Sequence, residues 1–184
     1  MRPSEELIVE HGKVQEMLTI LTKISQKART EGRINTAHLH KAVGYLQMFV
    51  DRCHHGKEER CYFPAVAAAG DAESNELIRA LLEEHTEGRE HVAAIKNKLT
   101  DYQEGDHGAF DELLANIDLY AILIDEHIKK ENGVLFPRGD GLLNDGQAKE
   151  LMTEYAEVDL EELGQAGGEE MQRVLEELRR EYLP

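Results

Sequence analysis

Apolar residues along this chain recur every three to four positions, and no stretch of five or more alternates as a half-buried strand would. The pattern predicts an all-α protein. A first helix is expected from Ser4 to Thr30, capped by Ser4, with Leu7, His11, Val14, Leu18, Leu21 and Ser25 on one face. Glu31-Gly32-Arg33 should end it. A second helix is expected from Thr36 to Ala69, with Val43, Leu46, Val50, His54, Glu58, Cys61 and Ala65 turned inward and Pro64 kinking or shortening it. Gly70-Asp71 then breaks the chain, and Ser74 caps a third helix that reaches Tyr102 with Ile78, Leu81, Leu82, His85, Val92 and Ile95 inside. Beyond a loop at Glu104-Gly105-Asp106-His107-Gly108, a fourth helix runs from Ala109 to Leu135, closed by Phe136-Pro137 and Gly139. Four helices of similar length joined by short loops predict an up-down antiparallel four-helix bundle over residues 1–140.

Past that point the character changes. Residues 145–184 hold 12 acidic and 4 basic side chains, so this fifth of the chain carries half of the net charge of −16. Residues 141–184 read as an acidic helical extension in two pieces, Asp145 to Leu163 and Gly168 to Tyr182, separated by a Gly-rich stretch. The second piece carries an apolar stripe, Met171, Val174, Leu175, Leu178 and Tyr182, which needs a surface to cover: the bundle, a second copy in a homodimer, or another protein. The acidic balance argues against nucleic acid and against an anionic membrane face. No apolar run approaches the roughly 20 residues of a spanning helix, and no secretory signal opens the chain, so a soluble cytoplasmic protein is expected. Cys53 and Cys61 fall too far apart on one helix for a disulfide and read as free thiols.

The nine histidines change the picture, because the chain repeats itself around some of them. Cys53 to Pro64 aligns without a gap with Glu126 to Pro137, at an offset of 73 residues. His54 matches His127, Lys57 matches Lys130, Glu58 matches Glu131, and both copies end in Phe-Pro. The preceding helices agree as well, since Glu10-His11 stands in the first where Glu84-His85 stands in the third. Residues four apart on a helix project together, so each His-x-x-x-Glu pair addresses one point, and both pairs lie on the apolar stripe between Val50 and Cys61 or Leu123 and Val134. Four histidines and two glutamates then face a core where, unpaired, each costs on the order of several kcal/mol. Two divalent ions bridged by the carboxylates would compensate them. His38, His40, His55, His91 and His107 have no such partner in the repeat and read as solvent residues.

The doubled His-x-x-x-Glu with Phe-Pro, over residues 4–137, resembles the hemerythrin-like proteins with a His-His-Glu cation-binding domain. The resemblance implies a four-helix bundle around two iron ions, an oxo- or hydroxo-bridged non-haem di-iron centre. His11 and His54 would serve one iron, His85 and His127 the other, and Glu58 and Glu131 would bridge both. It also implies reversible binding of dioxygen or nitric oxide at an open iron position and, in some members, iron handling, sensing or peroxide reactions. Iron itself comes from the resemblance, since the same donors accept manganese or zinc. The chain departs from the oxygen carriers on the third helix, where Arg89 and Leu81 stand at the spacing of a second histidine. Arg89 is expected to face the cavity and to stabilise an anionic ligand such as peroxide or nitrite. Cys61 reads as a packing residue.

Three functions compete on these grounds. The first is a binding or sensing protein for dioxygen or nitric oxide, not a turnover enzyme. The second is a di-iron oxidase or peroxidase that reduces bound peroxide, favoured by the absent helix-three histidine. The third is an interaction module whose fold depends on iron and whose partner meets the acidic tail. Ferritin-type sites are disfavoured, because they need Glu-x-x-His on two core helices and the only match, Glu104 to His107, falls in a Gly-rich loop.

Overall fold

The computed structural model describes residues 2–69 and 72–183. The protein is all-α, with no strand among the described residues. α1 spans Pro3–Glu31 and ends on Gly32 at φ 66°, a left-handed conformation that glycine adopts without a Cβ clash. α2 (Thr36–Tyr45) is capped by Asn35 and runs on through two π-helical segments, π1 (Leu46–His55) and π2 (Glu58–Tyr62), into α3 (Phe63–Ala68). α4 spans Ala72–Gln103; α5 (Ala109–Lys130) passes through π3 (Glu131–Leu135) into α6 (Phe136–Leu142). α7 covers Asp145–Tyr182 and is capped by Asn144. No helix among the described residues is long and apolar enough to cross a membrane.

Several boundaries differ from the expected ones. Ser4 does not cap α1: the helix starts one residue earlier at a first-turn proline, and the Ser4 hydroxyl donates to Asp140 Oδ1 at 2.7 Å. Ser74 is likewise interior to α4, and the break expected at Gly70-Asp71 lies outside the described residues. Neither Phe-Pro ends its helix at the proline. In both copies the phenylalanine N–H reaches back five residues, Phe63 to Glu58 and Phe136 to Glu131, and the α-helix resumes there. The change of hydrogen-bond register falls where proline has no N–H to offer, so the ring is accommodated. The tail breaks at Gly164 alone, where φ is 67° and ψ −175°, and helix resumes at once.

Two apolar clusters build the core. One gathers Val14, Leu21, Val50, Val92, Ile124, Ile128 and their neighbours; the other gathers Leu7, Cys61, Phe63, Leu81, Leu135 and Phe136. Successive stretches of chain cross from one cluster to the other: Leu7 to Val14, Val50 to Cys61, Leu81 to Val92, Ile128 to Leu135. Each crossing carries polar residues through the layer between the clusters. α7 crosses too, from Leu151, Tyr155 and Val158 to Leu175, Leu178 and Tyr182, and packs on α1, α2 and π1. The apolar stripe of the tail is therefore spent on the bundle rather than left for a second copy.

Candidate metal centre

His11, His54, Glu58, His85, His127 and Glu131 all lie in that layer, each almost fully buried. The structure brings together every residue that the repeat singles out. Their donor atoms form two groups, His11 with His54, Glu58 and Glu131, and His85 with His127, Glu58 and His55, with the atoms of each group within 4.8 Å of one another. Each carboxylate spans both histidine pairs. Glu131 aims Oε2 at His11 Nε2 (3.1 Å) and Oε1 at His127 Nε2 (3.2 Å), and Glu58 aims Oε1 at His54 Nε2 (3.3 Å) and Oε2 at His85 Nε2 (3.5 Å).

These approaches lack hydrogen-bond geometry: both oxygens of Glu58, both of Glu131 and His11 Nε2 are buried without a hydrogen-bond partner. His85 Nε2 and His127 Nε2 face each other at 3.1 Å, a contact in which at most one nitrogen carries a proton. Buried groups left unpaired in this way cost on the order of 1–3 kcal/mol each, and they converge on shared points instead of on one another. That donor set, neutral nitrogens and carboxylates in a buried layer, fits divalent cations.

The outer nitrogens complete the argument. Each Nδ1–H donates away from the centre: His11 to Asn132 (2.8 Å), His54 to Glu10 (2.9 Å), His85 to Glu59 (2.7 Å) and His127 to Glu84 (3.0 Å). Fixing the proton on Nδ1 leaves the Nε2 lone pair pointing inward, the arrangement that metal-binding imidazoles adopt. Glu10 and Glu84 are held in turn by Lys57 and Lys130, and Glu59 by Arg89. The phenylalanines of the two Phe-Pro steps form walls, Phe136 stacked on His11 (5.4 Å) and Phe63 on His85 (5.8 Å). The repeat thus extends to the second layer. The sequence carries that signal in the paired Glu-His and Lys-Glu dipeptides.

His55 corrects the sequence reading. It is 4% exposed, stacks on the His85 ring at 3.8 Å and lies within 5.9 Å of the His127 ring. A regular α-helix would turn it well away from His54. The π1 segment ends at His55, and its wider i→i+5 turns rotate each residue through a smaller angle, so both neighbours face the layer. Beyond Glu131, Leu135 is buried and the expected Val134 exposed, and Leu82 on α4 is exposed as well. Arg89 lines a cavity beside His55, but its guanidinium is engaged there: it bonds Asp51 Oδ1 and Glu59 Oε1, both at 2.6 Å, and so reaches His85 through Glu59. Cys61 is a buried packing residue. A third group, Glu10, Cys53 and Asp159, already surrounds the Lys57 ammonium and needs no ion.

Without a cation, protons supply the positive charge. Burial alone would push His11 and His127 down, but Glu131 and Glu58 outweigh it and raise them to about 10 and about 9, with Glu84 also raising His127. Burial likewise opposes ionisation of Glu58, yet the surrounding imidazoles hold it well below the carboxylate range. Burial and the neighbouring His85 keep His55 neutral. A family model described as the hemerythrin HHE cation-binding domain matches residues 2–138. No curated protein and no solved structure matches the chain.

Proposed function

Since the chain belongs to the hemerythrin HHE cation-binding family, we propose that His11, His54, Glu58, His85, His127 and Glu131 hold two iron ions bridged by the carboxylates, with His55 as a seventh donor, and that the protein binds or senses dioxygen or nitric oxide. The observation that carries this reading is the set of orphaned atoms, both oxygens of Glu58 and of Glu131, each oxygen aimed at a different histidine pair. When bound, the iron pair supplies redox-active positions for a small ligand. The chain's own residues orient the imidazoles through Glu10, Asn132, Glu59 and Glu84 and exclude water with Phe63 and Phe136. In this reading residues 1–140 house the centre and residues 141–184 brace it.

His55 supplies the imidazole that α4 lacks, which removes the main ground for preferring peroxide turnover. The test is anaerobic purification, metal analysis, and visible spectra before and after air and then nitric oxide. Two irons per chain, with charge-transfer bands that appear in air and reverse when oxygen is removed, are expected. Irreversible oxidation with consumption of peroxide would establish the peroxidase instead. No metal, or a single zinc, would overturn both.

A further inference from the structure

The repeat makes the two histidine pairs formally equivalent, and the segment beyond residue 138 breaks that equivalence. His54 rests on Glu10, and Glu10 on Lys57 at 2.6 Å. The Lys57 ammonium also meets Asp159 of α7 at 2.9 Å and Glu6 at 3.1 Å, with the Tyr155 ring 5.7 Å away. Val158 packs closely over Gly56, and Asp159 accepts from the Cys53 thiol. The Lys57 side chain is 1% exposed. Its counterpart Lys130 pairs with Glu84 behind His127, and that side chain is 43% exposed. The second half also adjoins a cavity of about 220 Å³, lined by Leu46, Asp51, His55, Gly88, Arg89 and Tyr120 among others.

We propose that α7 locks the metal position served by His11 and His54 through the chain Asp159, Lys57, Glu10 and His54, and that the position served by His55, His85 and His127 is the exchangeable one, open to incoming small ligands from the adjoining cavity. The inference rests on the two-metal reading. Releasing a metal requires its histidines to swing away. At His54 that motion disturbs charges centred on a buried ammonium and the nearly buried Glu10, with Asp159, 41% exposed, closing the outer side, and a buried charge that loses its partner is costly. At His127 the matching lysine is half-exposed behind a Glu84 that is itself only 16% exposed, so water replaces the lysine's contact at lower cost. Asp159 is a positioning residue in this scheme.

The full-length protein is loaded anaerobically with ferrous iron, and release to an excess of ferrous chelator is followed with time. Two phases of equal amplitude are expected, separated by at least about tenfold, in line with the typical effect of outer-layer partners. Asp159→Asn should speed the slow phase by about tenfold or more and leave the fast one unchanged, Asp159→Glu should restore it, and Glu6→Gln should give a smaller acceleration. Glu157→Gln, an exposed charge on the same helix, should do nothing. A single phase in the wild type, or a slow phase indifferent to Asp159→Asn in a variant that melts normally, overturns the lock while two irons per chain still stand. Uptake of fewer than two irons overturns the two-metal reading itself.

Discussion

Glu59 and Asn132 occupy equivalent positions in the repeat and perform the same task with different charge. Glu59 Oε1 accepts from His85 Nδ1 at 2.7 Å, and Asn132 Oδ1 accepts from His11 Nδ1 at 2.8 Å. A carboxylate behind an imidazole makes it a stronger donor to a cation than an amide does. The two halves of the centre therefore differ in basicity as well as in access.

Glu59→Gln should weaken metal binding at the His85 position by roughly 10–100-fold, the usual cost of removing such a partner. Asn132→Asp should strengthen the other position. Titration with a divalent cation resolves the two sites; equal effects of Glu59→Gln on both, or none on either, would show that the outer charge does not tune this centre.

The inner six residues were legible because an i, i+4 pair on an apolar stripe is informative once it recurs 73 residues later. His55 was not, since its burial depends on a π-helical stretch that a period of 3.6 residues per turn does not reveal. Val134 is exposed because the inward face at that point runs through Leu135, four residues from Glu131. Phe-Pro has the local chemistry of a stop signal, whereas the proline sits at a register change and the phenylalanine walls the histidines. Asp159 offered no signal at all. Its pairing with Lys57 joins residues 102 positions apart, and nothing local distinguishes it from the other acids of α7.

Gly139 tests how tightly the ends of the two π-containing helices are packed. A Cβ there would lie 2.2 Å from Tyr62 Oη, and 2.9 Å from Tyr62 Cζ and from Val66 Cγ2. Tyr62 is fully buried and cannot swing aside. Gly139→Ala should cost about 1–3 kcal/mol in stability, the range for overpacking. Adding Tyr62→Phe, which removes the nearest atom, should recover part of the loss in denaturant melts. Additive losses in the double variant would place the strain elsewhere.

Neither cysteine should behave as a reactive thiol in the folded protein. Burial, then the Glu154 carboxylate, pushes Cys61 up to about 11, and Cys53 is pushed higher still by burial and by its bond to Asp159. At pH 8 only about one Cys61 in a thousand is thiolate, the form that reacts. Alkylation should be slow at pH 8, accelerate toward pH 11 and become fast in denaturant. Labelling of the native protein at pH 7 at the rate of a free thiol would refute the buried placement.

Removing the metal should change how stability depends on pH. In the metal-free protein His11 and His127 bind protons up to about 10 and about 9, against about 6.5 when unfolded. The folded state then holds more protons than the unfolded one between these values, so their contribution is full below about 6.5 and is lost as pH rises through 9 to 10. The apoprotein should therefore melt at progressively lower temperature from pH 7 to pH 10. With metal bound the Nε2 positions carry no protons to lose, and the loaded protein should hold its melting temperature over the same range. Binding should accordingly tighten as pH rises and release protons, which titration in buffers of different ionisation enthalpy measures directly. An apoprotein indifferent to pH between 7 and 10 would mean that its buried carboxylates are balanced by something other than these two imidazoles.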